Sequence, residues 1–365
     1  MKRILCIVGS MDAGGAETFL MKLYRAVDTQ QYQFDFCVSV EREGFYDNEI
    51  IKRGGRIYHV IPKSKNPIKA FYMVYRCVKE NNYKSVLRVS QHSLSALELL
   101  AAKFGGAKIL AFRSSNTNTG GSVISQKLHK VFQFLPIRIA NVKIAPSKVA
   151  AKFMFGKNYY KDSQVHIIKN ALNLDLYRYK IKNRIKKRSE LGIGNKFVVG
   201  HIGRFTEQKN HEFLLEIFAE LSRTRDDSIL ILIGKGELEN IFRNKVKELG
   251  LTDKVLFLGV KKDIQDFLMA MDILVLPSLY EGMPNVVIEA QATGLPCLVS
   301  DKITNEVRIT KLVNQIPLIR KLWLDELTVF RKKDEREKYE LILKNKGYDI
   351  SEVSKIFVNL VFNYS

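Results

Sequence analysis

The chain has 365 residues, 46% of them hydrophobic, and a formal net charge of +21. That length and apolar content exclude a disordered chain and favour two domains of ordinary size, each with its own core. Four cysteines (Cys6, Cys37, Cys77 and Cys297) stand singly in apolar stretches with no CxxC or Cys/His spacing, so reduced, buried thiols and no metal are expected, as suits a cytoplasm.

Residues 2–9 hold an apolar run of strand length, Ile4-Leu5-Cys6-Ile7-Val8, and residues 17–27 have helical spacing, with a turn at 10–15 between them. Gly9 and Gly14 mimic the first two glycines of a phosphate loop. Gly15-Ala16 stands where that loop needs Lys and Ser/Thr, and the spacing also misses GxGxxG, which excludes an NTPase. Lys2 and Arg3 lead into the strand without a leader-peptide core. No run of about eighteen uncharged apolar residues follows, so a chain that is neither exported nor membrane-spanning is expected.

Strands continue at 34–40, 56–60, 85–89 and 108–112, separated by helical stretches such as 68–81 and 95–104, with short strands at 142–145 and 165–168. This alternation predicts a doubly wound parallel sheet, whose ligands belong at the carboxyl ends of the strands. Gly14, Gly15, Ser90, Gln91, His92, Arg113, Ser114, Ser115 and Asn116 fall there. A lone histidine at a strand end, as His92 is, is more often structural than catalytic, even though its pKa suits proton work. Arg113 fits either a clamp for an anionic acceptor or a surface arginine.

The positive charge is concentrated in this half, where residues 1–180 carry 29 Lys+Arg against 12 Asp+Glu. Between Glu98 and Asp162 no acidic residue interrupts eleven basic ones, and apolar bulk such as Leu128, Val131, Phe132 and Phe134 is interleaved with them. Such a face suits an anionic membrane surface, another polyanion, or simple solvation.

Residues 178–195 are basic and weakly apolar, and the domain boundary is expected there, giving domains at 1–180 and 196–345 joined by a linker at 181–195. The strand-turn-helix theme restarts with a strand at 197–202. Gly203, Arg204 and Lys209 lie at its carboxyl end before a helix at 210–223. Arg as a fork and Lys as a point charge suit a diphosphate. Strands at 228–233 and 255–258 lead into Gly234-Lys235-Gly236 and Gly259-Val260-Lys261. An apolar strand at 271–276 is ended by Pro277. Beyond the loop bearing Glu281, Gly282 and Met283, Pro284 suits a helix start and Asn285 and Val286 open a helix to 293, closed by Gly294. Such a junction aims backbone N–H groups and the positive end of a helix dipole at one spot, which favours a phosphate. Glu281 sits at its mouth. Glu289, inside the helix, must find hydrogen-bond partners or a ligand hydroxyl. Beyond Asp301 the pattern thins into a charged helical tail at about 324–364.

Glu281 and Glu289, with Glu-Gly-Met-Pro after a strand, resemble the E-x7-E motif of the retaining glycosyltransferases of family 4, whose fold is GT-B, two doubly wound Rossmann-like domains with a cleft between them. Gly14-Gly15-Ala16-Glu17, Gly203-Arg204-Phe205 with Lys209, and Gly294-Leu295-Pro296-Cys297 recur in the family's order, so the resemblance spans nearly the whole chain. It implies transfer of a hexose from a nucleotide-diphosphate sugar, UDP-linked, to a hydroxyl of a polysaccharide or polyprenyl-diphosphate-linked oligosaccharide in capsule or exopolysaccharide synthesis.

By the same resemblance Arg204 and Lys209 neutralise the leaving diphosphate, Glu281 positions the donor sugar and Glu289 the ribose. The backbones at 234–236 and 259–261 cradle the base, and Gly14, Gly15, His92, Arg113 and Asn116 line the acceptor side. No cofactor or metal is implied, since no Asp-x-Asp pair is present. The basic first domain would rest on the inner face of the plasma membrane, and the last helix, at 346–365, would return to it. The expected histidine of the family is displaced, since the strand ends read Val89-Ser90-Gln91-His92 and Phe112-Arg113-Ser114-Ser115. A sugar-nucleotide epimerase of the same fold and a basic nucleic-acid-binding protein remain as alternatives.

Overall fold

The computed structural model describes residues 1–115, 123–330 and 335–363. They form two compact units. The first comprises Met1–Ala171 with Asp349–Ser365, the second Leu172–Tyr348.

The first unit is built on a parallel sheet of β1 (Lys2–Ile7), β2 (Tyr32–Val38), β3 (Ile57–His59), β4 (Ser85–Ser90), β5 (Ile109–Ser114), β6 (Val142–Ala145) and β7 (Val165–Ile167), in the order β3-β2-β1-β4-β5-β6-β7. Such sheets are covered on both faces, which is why the strands read as nearly continuous apolar runs. The two-residue period of a strand divides β1 between two cores. Ile4 and Cys6 pack with Phe19, Phe34 and Phe357, whereas Leu5 and Ile7 face Val74, Leu99 and Phe112. The final helix, Ile350–Phe362, supplies Phe357, Val358, Val361 and Phe362 to the first of these cores. Phe357 meets Phe19 edge-on, with centroids 6.4 Å apart, and Phe34 at 5.9 Å.

The second unit repeats the design with β8 (Phe197–Ile202), β9 (Ser228–Ile233), β10 (Val255–Phe257), β11 (Ile273–Leu276), β12 (Cys297–Ser300) and β13 (Val313–Ile316), all parallel, in the order β10-β9-β8-β11-β12-β13. In both sheets the order reverses beside the first strand, the place where such folds bind ligands.

Three expectations are corrected. The boundary falls at Ala171/Leu172, because Leu172, Leu174 and Tyr177 already belong to the second core and Leu172 N–H donates to Tyr348 O at 2.9 Å. The supposed linker at 181–195 is mostly a helix, Ile181–Glu190, held by buried arginines. Arg184 donates to the carbonyls of Met269, Ala270 and Met271, which end the helix Ile264–Ala270, and Arg188 donates to Ala270 O. Asp272 balances both, 2.6 Å from Arg184 and 3.3 Å from Arg188, and accepts Val198 N–H at 2.8 Å. Cations at a helix carboxyl end are favoured by its dipole, so Arg184 and Arg188 are structural, while Lys182 and Lys186 are exposed. Among the described residues the helical tail holds three helices, Arg320–Thr328, Tyr339–Asn345 and Ile350–Phe362, and β13 precedes them. The four cysteines are buried and outside disulfides. No described helix is long and apolar enough to cross a membrane.

Candidate active site

The loops at the carboxyl ends of β8 and β11 are laced together. Leu279 N–H donates to Gln208 O at 2.9 Å, Gln208 Nε2 to Tyr280 O at 2.9 Å, and Asn210 Nδ2 to Pro277 O at 3.2 Å. Asn210 has φ +55°, the left-handed conformation that asparagine tolerates better than most residues, and it turns the chain from the short Glu207–Lys209 helix into the helix His211–Thr224.

This lacing brings Lys209 to Glu281. Lys209 Nζ lies 2.5 Å from Glu281 Oε1, with both side chains largely buried, at 16% and 12% exposure. Ser278 Oγ donates to the same carboxylate oxygen at 3.2 Å. Glu281 also pairs with Ile303 in an isolated parallel bridge, which fixes its backbone. Glu281 is therefore held by two side chains at Oε1 and by the bridge along its backbone.

The lysine stem lies over Gly203. A Cβ added there would come within 3.0 Å of Lys209 Cδ and Cε. Gly234 and Gly236 pack against the same turn, where added Cβ atoms would fall 2.0 Å from Gly203 O and 2.3 Å from Phe205 O. Phe205 N–H donates to Lys235 O at 3.1 Å, and Gly234 N–H to Gly259 O at 3.0 Å. The two glycines thus serve first to seat the β8 turn. Lys235 and Val260 are exposed and Lys261 is half-buried. Arg204 is exposed on that turn, and among the described residues no ion pair holds it to Glu281.

Gly282 and Pro284 are buried, and Met283 packs at the margin of the second core. They link Glu281 to the helix Asn285–Ala292, which opens with Asn285 and Val286 and whose N-cap residue, Pro284, makes no side-chain capping bond. Glu289 is 93% buried inside that helix, which is to say 7% exposed. Among the described residues no group of three or more His, Cys, Asp or Glu is arranged to hold a metal ion.

In the first unit, Gly14 precedes and Gly15 begins the helix Gly15–Ala26. Two expectations there change. His92 is fully engaged: Nδ1 accepts Leu94 N–H at 3.2 Å, so Nε2 carries the ring proton and donates it to Ser125 O at 3.1 Å. It caps the short helix Ser93–Ser95. Arg113 is not a surface arginine; it is 2% exposed, lies 3.7 Å over the Phe19 ring and donates through Nη2 to Asn170 Oδ1 at 2.6 Å. Burial lowers its pKa to about 9. Asn116 lies outside the described residues.

Sequence reasoning missed His201 and His211, which lie fully buried beneath Lys209. A titratable side chain in the apolar strand Phe-Val-Val-Gly-His-Ile was the available signal. Ser278, Gln208 and Asn210, which orient the pair, carry no such signal.

Two parallel-sheet Rossmann-like units define a GT-B architecture, and in the second a cation and a carboxylate are joined at the strand ends. The family model for glycosyl transferases group 1 matches residues 183–316. The chain is 33% identical over 374 residues to the putative glycosyltransferase EpsF of Bacillus subtilis (strain 168), covering all of this chain and 97% of that one. It is 27% identical over 245 residues, 64% of this chain and 62% of the other, to the UDP-Gal:alpha-D-GlcNAc-diphosphoundecaprenol alpha-1,3-galactosyltransferase of Escherichia coli. The fold is similar to that of Anabaena HepE, solved in complex with UDP and glucose, with a TM-score of 0.79 at 17% identity over 98% of this chain and 99% of that one. This chain belongs to the group 1 glycosyltransferases.

Proposed function

We propose that the protein is a retaining, metal-independent hexosyltransferase that uses a UDP-linked sugar and a lipid-linked oligosaccharide or polysaccharide acceptor in cell-surface glycan synthesis. The observation that carries this reading is the Lys209–Glu281 pair, fixed at 2.5 Å in the loops that lead into the helices His211–Thr224 and Asn285–Ala292. The name of the Escherichia coli relative supports a UDP-linked donor and a diphosphate-linked lipid acceptor.

During transfer the bond from the anomeric carbon to the diphosphate breaks, its electron pair leaves with the phosphate, and the acceptor oxygen bonds to that carbon. A phosphate oxygen takes the acceptor proton on the same face. Lys209, the helix amides and, from its exposed position on the β8 turn, Arg204 oppose the charge that develops on the phosphate. Glu281 accepts hydrogen bonds from the sugar hydroxyls, and Glu289 serves the ribose.

The first unit would carry the acceptor, with buried Arg113 among the groups that attract its phosphate. Its helix Val123–Val131 buries only His129 and exposes Val123, Ile124, Leu128 and Val131 beside Lys127 and Lys130, which supports peripheral attachment to an anionic inner membrane face.

The test is a calorimetric panel of nucleoside diphosphates and their hexose conjugates, followed by transfer assays in EDTA with the sugar that binds. Tight UDP binding and EDTA-resistant transfer with retained anomeric configuration are expected. Failure of every nucleotide sugar to bind, or loss of activity in EDTA restored by a divalent cation, would refute the corresponding part.

A further inference from the structure

The transfer reading leaves the two buried histidines beneath Lys209 without a task. His201 lies in β8 and His211 begins the helix His211–Thr224. A carbonyl oxygen can only accept, so His201 Nδ1, 2.9 Å from Val275 O, carries the ring proton and donates it. Burial and the nearby Lys209 charge keep the ring neutral, with its pKa lowered to about 3. Nε2 is therefore a bare lone pair. It is buried and has no hydrogen-bond partner among the described residues.

Geometry sets this lone pair beside the lysine. The position that a Cβ on Gly203 would occupy is 3.2 Å from His201 Nε2 and 3.0 Å from both Cδ and Cε of Lys209. His211 borders His201 edge-on at 4.5 Å and is stacked on Phe205 at 4.4 Å and on Phe242 at 5.1 Å. An unpartnered buried acceptor is unfavourable. An ammonium has three donors, and Glu281 takes one of those on Lys209.

We propose that His201 is a positioning residue for Lys209, whose ammonium it holds through Nε2 when a diphosphate is bound. The lysine charge is then fixed by three acceptors: the Glu281 carboxylate, the imidazole and a phosphate oxygen. This rests on the assignment of Lys209 to the donor diphosphate.

The experiment exploits the two ring nitrogens. An asparagine amide can replace Nδ1 and keep the bond to Val275 O, while a glutamine amide can replace Nε2 and keep an acceptor beside Lys209. UDP affinity and kcat/KM are measured for His201→Asn and His201→Gln, alone and combined with Lys209→Met, with thermal melting as the check on folding.

His201→Asn should lose about tenfold in both quantities, the weight of a hydrogen bond to a charged group, and His201→Gln should retain most of them. In the Lys209→Met background neither change should have a further effect. An asparagine variant as active as the glutamine one, or an equal loss in both backgrounds, overturns the proposal and leaves the donor-site reading standing. Undiminished UDP affinity in Lys209→Met alone overturns both. Should the variants not fold, 15N-histidine spectra of the unsubstituted protein decide: Nε2 of His201 should move upfield on UDP binding, and an unmoved signal at saturation refutes the role.

Discussion

Lowering the pH from 7 to 5 should destabilise the second unit by an amount set largely by His201 and His211. Burial lowers the His201 pKa from 6.5 to about 3 and lowers that of His211 further. The folded pKa lies below the unfolded one, so between about 3 and 6.5 the unfolded chain binds the additional protons. Stability is complete above pH 6.5 and declines as the pH falls. Each histidine contributes ~1.4 kcal/mol per pH unit in that window, so at pH 5 the loss is about 2 kcal/mol each and about 4 for the pair. That is a large share of the ~5–15 kcal/mol that stabilises a typical domain. The chain's one tryptophan, Trp323, is buried in this unit, so its fluorescence follows the relevant transition in urea. His129 and His166, whose pKa values burial also lowers, lie in the other unit. The deciding variant is His211→Phe, which keeps the ring stack with Phe205 and Phe242 and deletes two unpartnered nitrogens. It should be at least as stable as the parent at pH 7 and lose about 2 kcal/mol less on going to pH 5. Identical pH slopes for parent and variant would refute the reasoning.

Replacing Glu281 by Gln should leave the fold intact, because Lys209 retains some solvent access, yet lower transfer by about 10²–10³-fold; activity within threefold of the parent in a purified assay removes the carboxylate from the chemistry. Asp272→Ala should destabilise the second unit by about 3–5 kcal/mol, since it strands Arg184 and Arg188 and leaves Val198 N–H unmet. A urea midpoint that hardly moves would contradict that account. Binding to anionic vesicles should weaken as salt rises and should fall further in Lys127→Glu/Lys130→Glu, whereas neutral vesicles should bind little; equal sedimentation with both lipids argues against an electrostatic anchor.

Both sheets were legible in the sequence because their strands are buried on both faces and read as short apolar runs bounded by glycine, proline and polar residues. β13, Val-Asn-Gln-Ile, was not, since as an edge strand it needs no such run. The helix Ile181–Glu190 was misread as a linker for a different reason. Its arginines look like solvated charge in one dimension, and only the fold supplies the helix carboxyl end and Asp272 that they bind. Lys209 and Glu281 were legible as residue types at strand ends, but their contact spans 72 positions and depends on the lacing by Gln208 and Asn210. The histidines beneath them escaped notice because an apolar strand invites a reading of its majority. His92 shows the converse, a suggestive residue at a suggestive place whose nitrogens are both taken by backbone groups.

The helix Ile350–Phe362 gives the first unit a peculiar order of assembly. During synthesis the ribosome delivers β1 through β7 early, yet the hydrophobic wall that Phe357, Val361 and Phe362 complete is translated only after the whole of the second unit. The second unit can therefore finish folding while the first still exposes Phe19 and Phe34 to chaperones, and a chain cut off near residue 349 should be one whose amino-terminal portion, far from the truncation in sequence, is the part that aggregates.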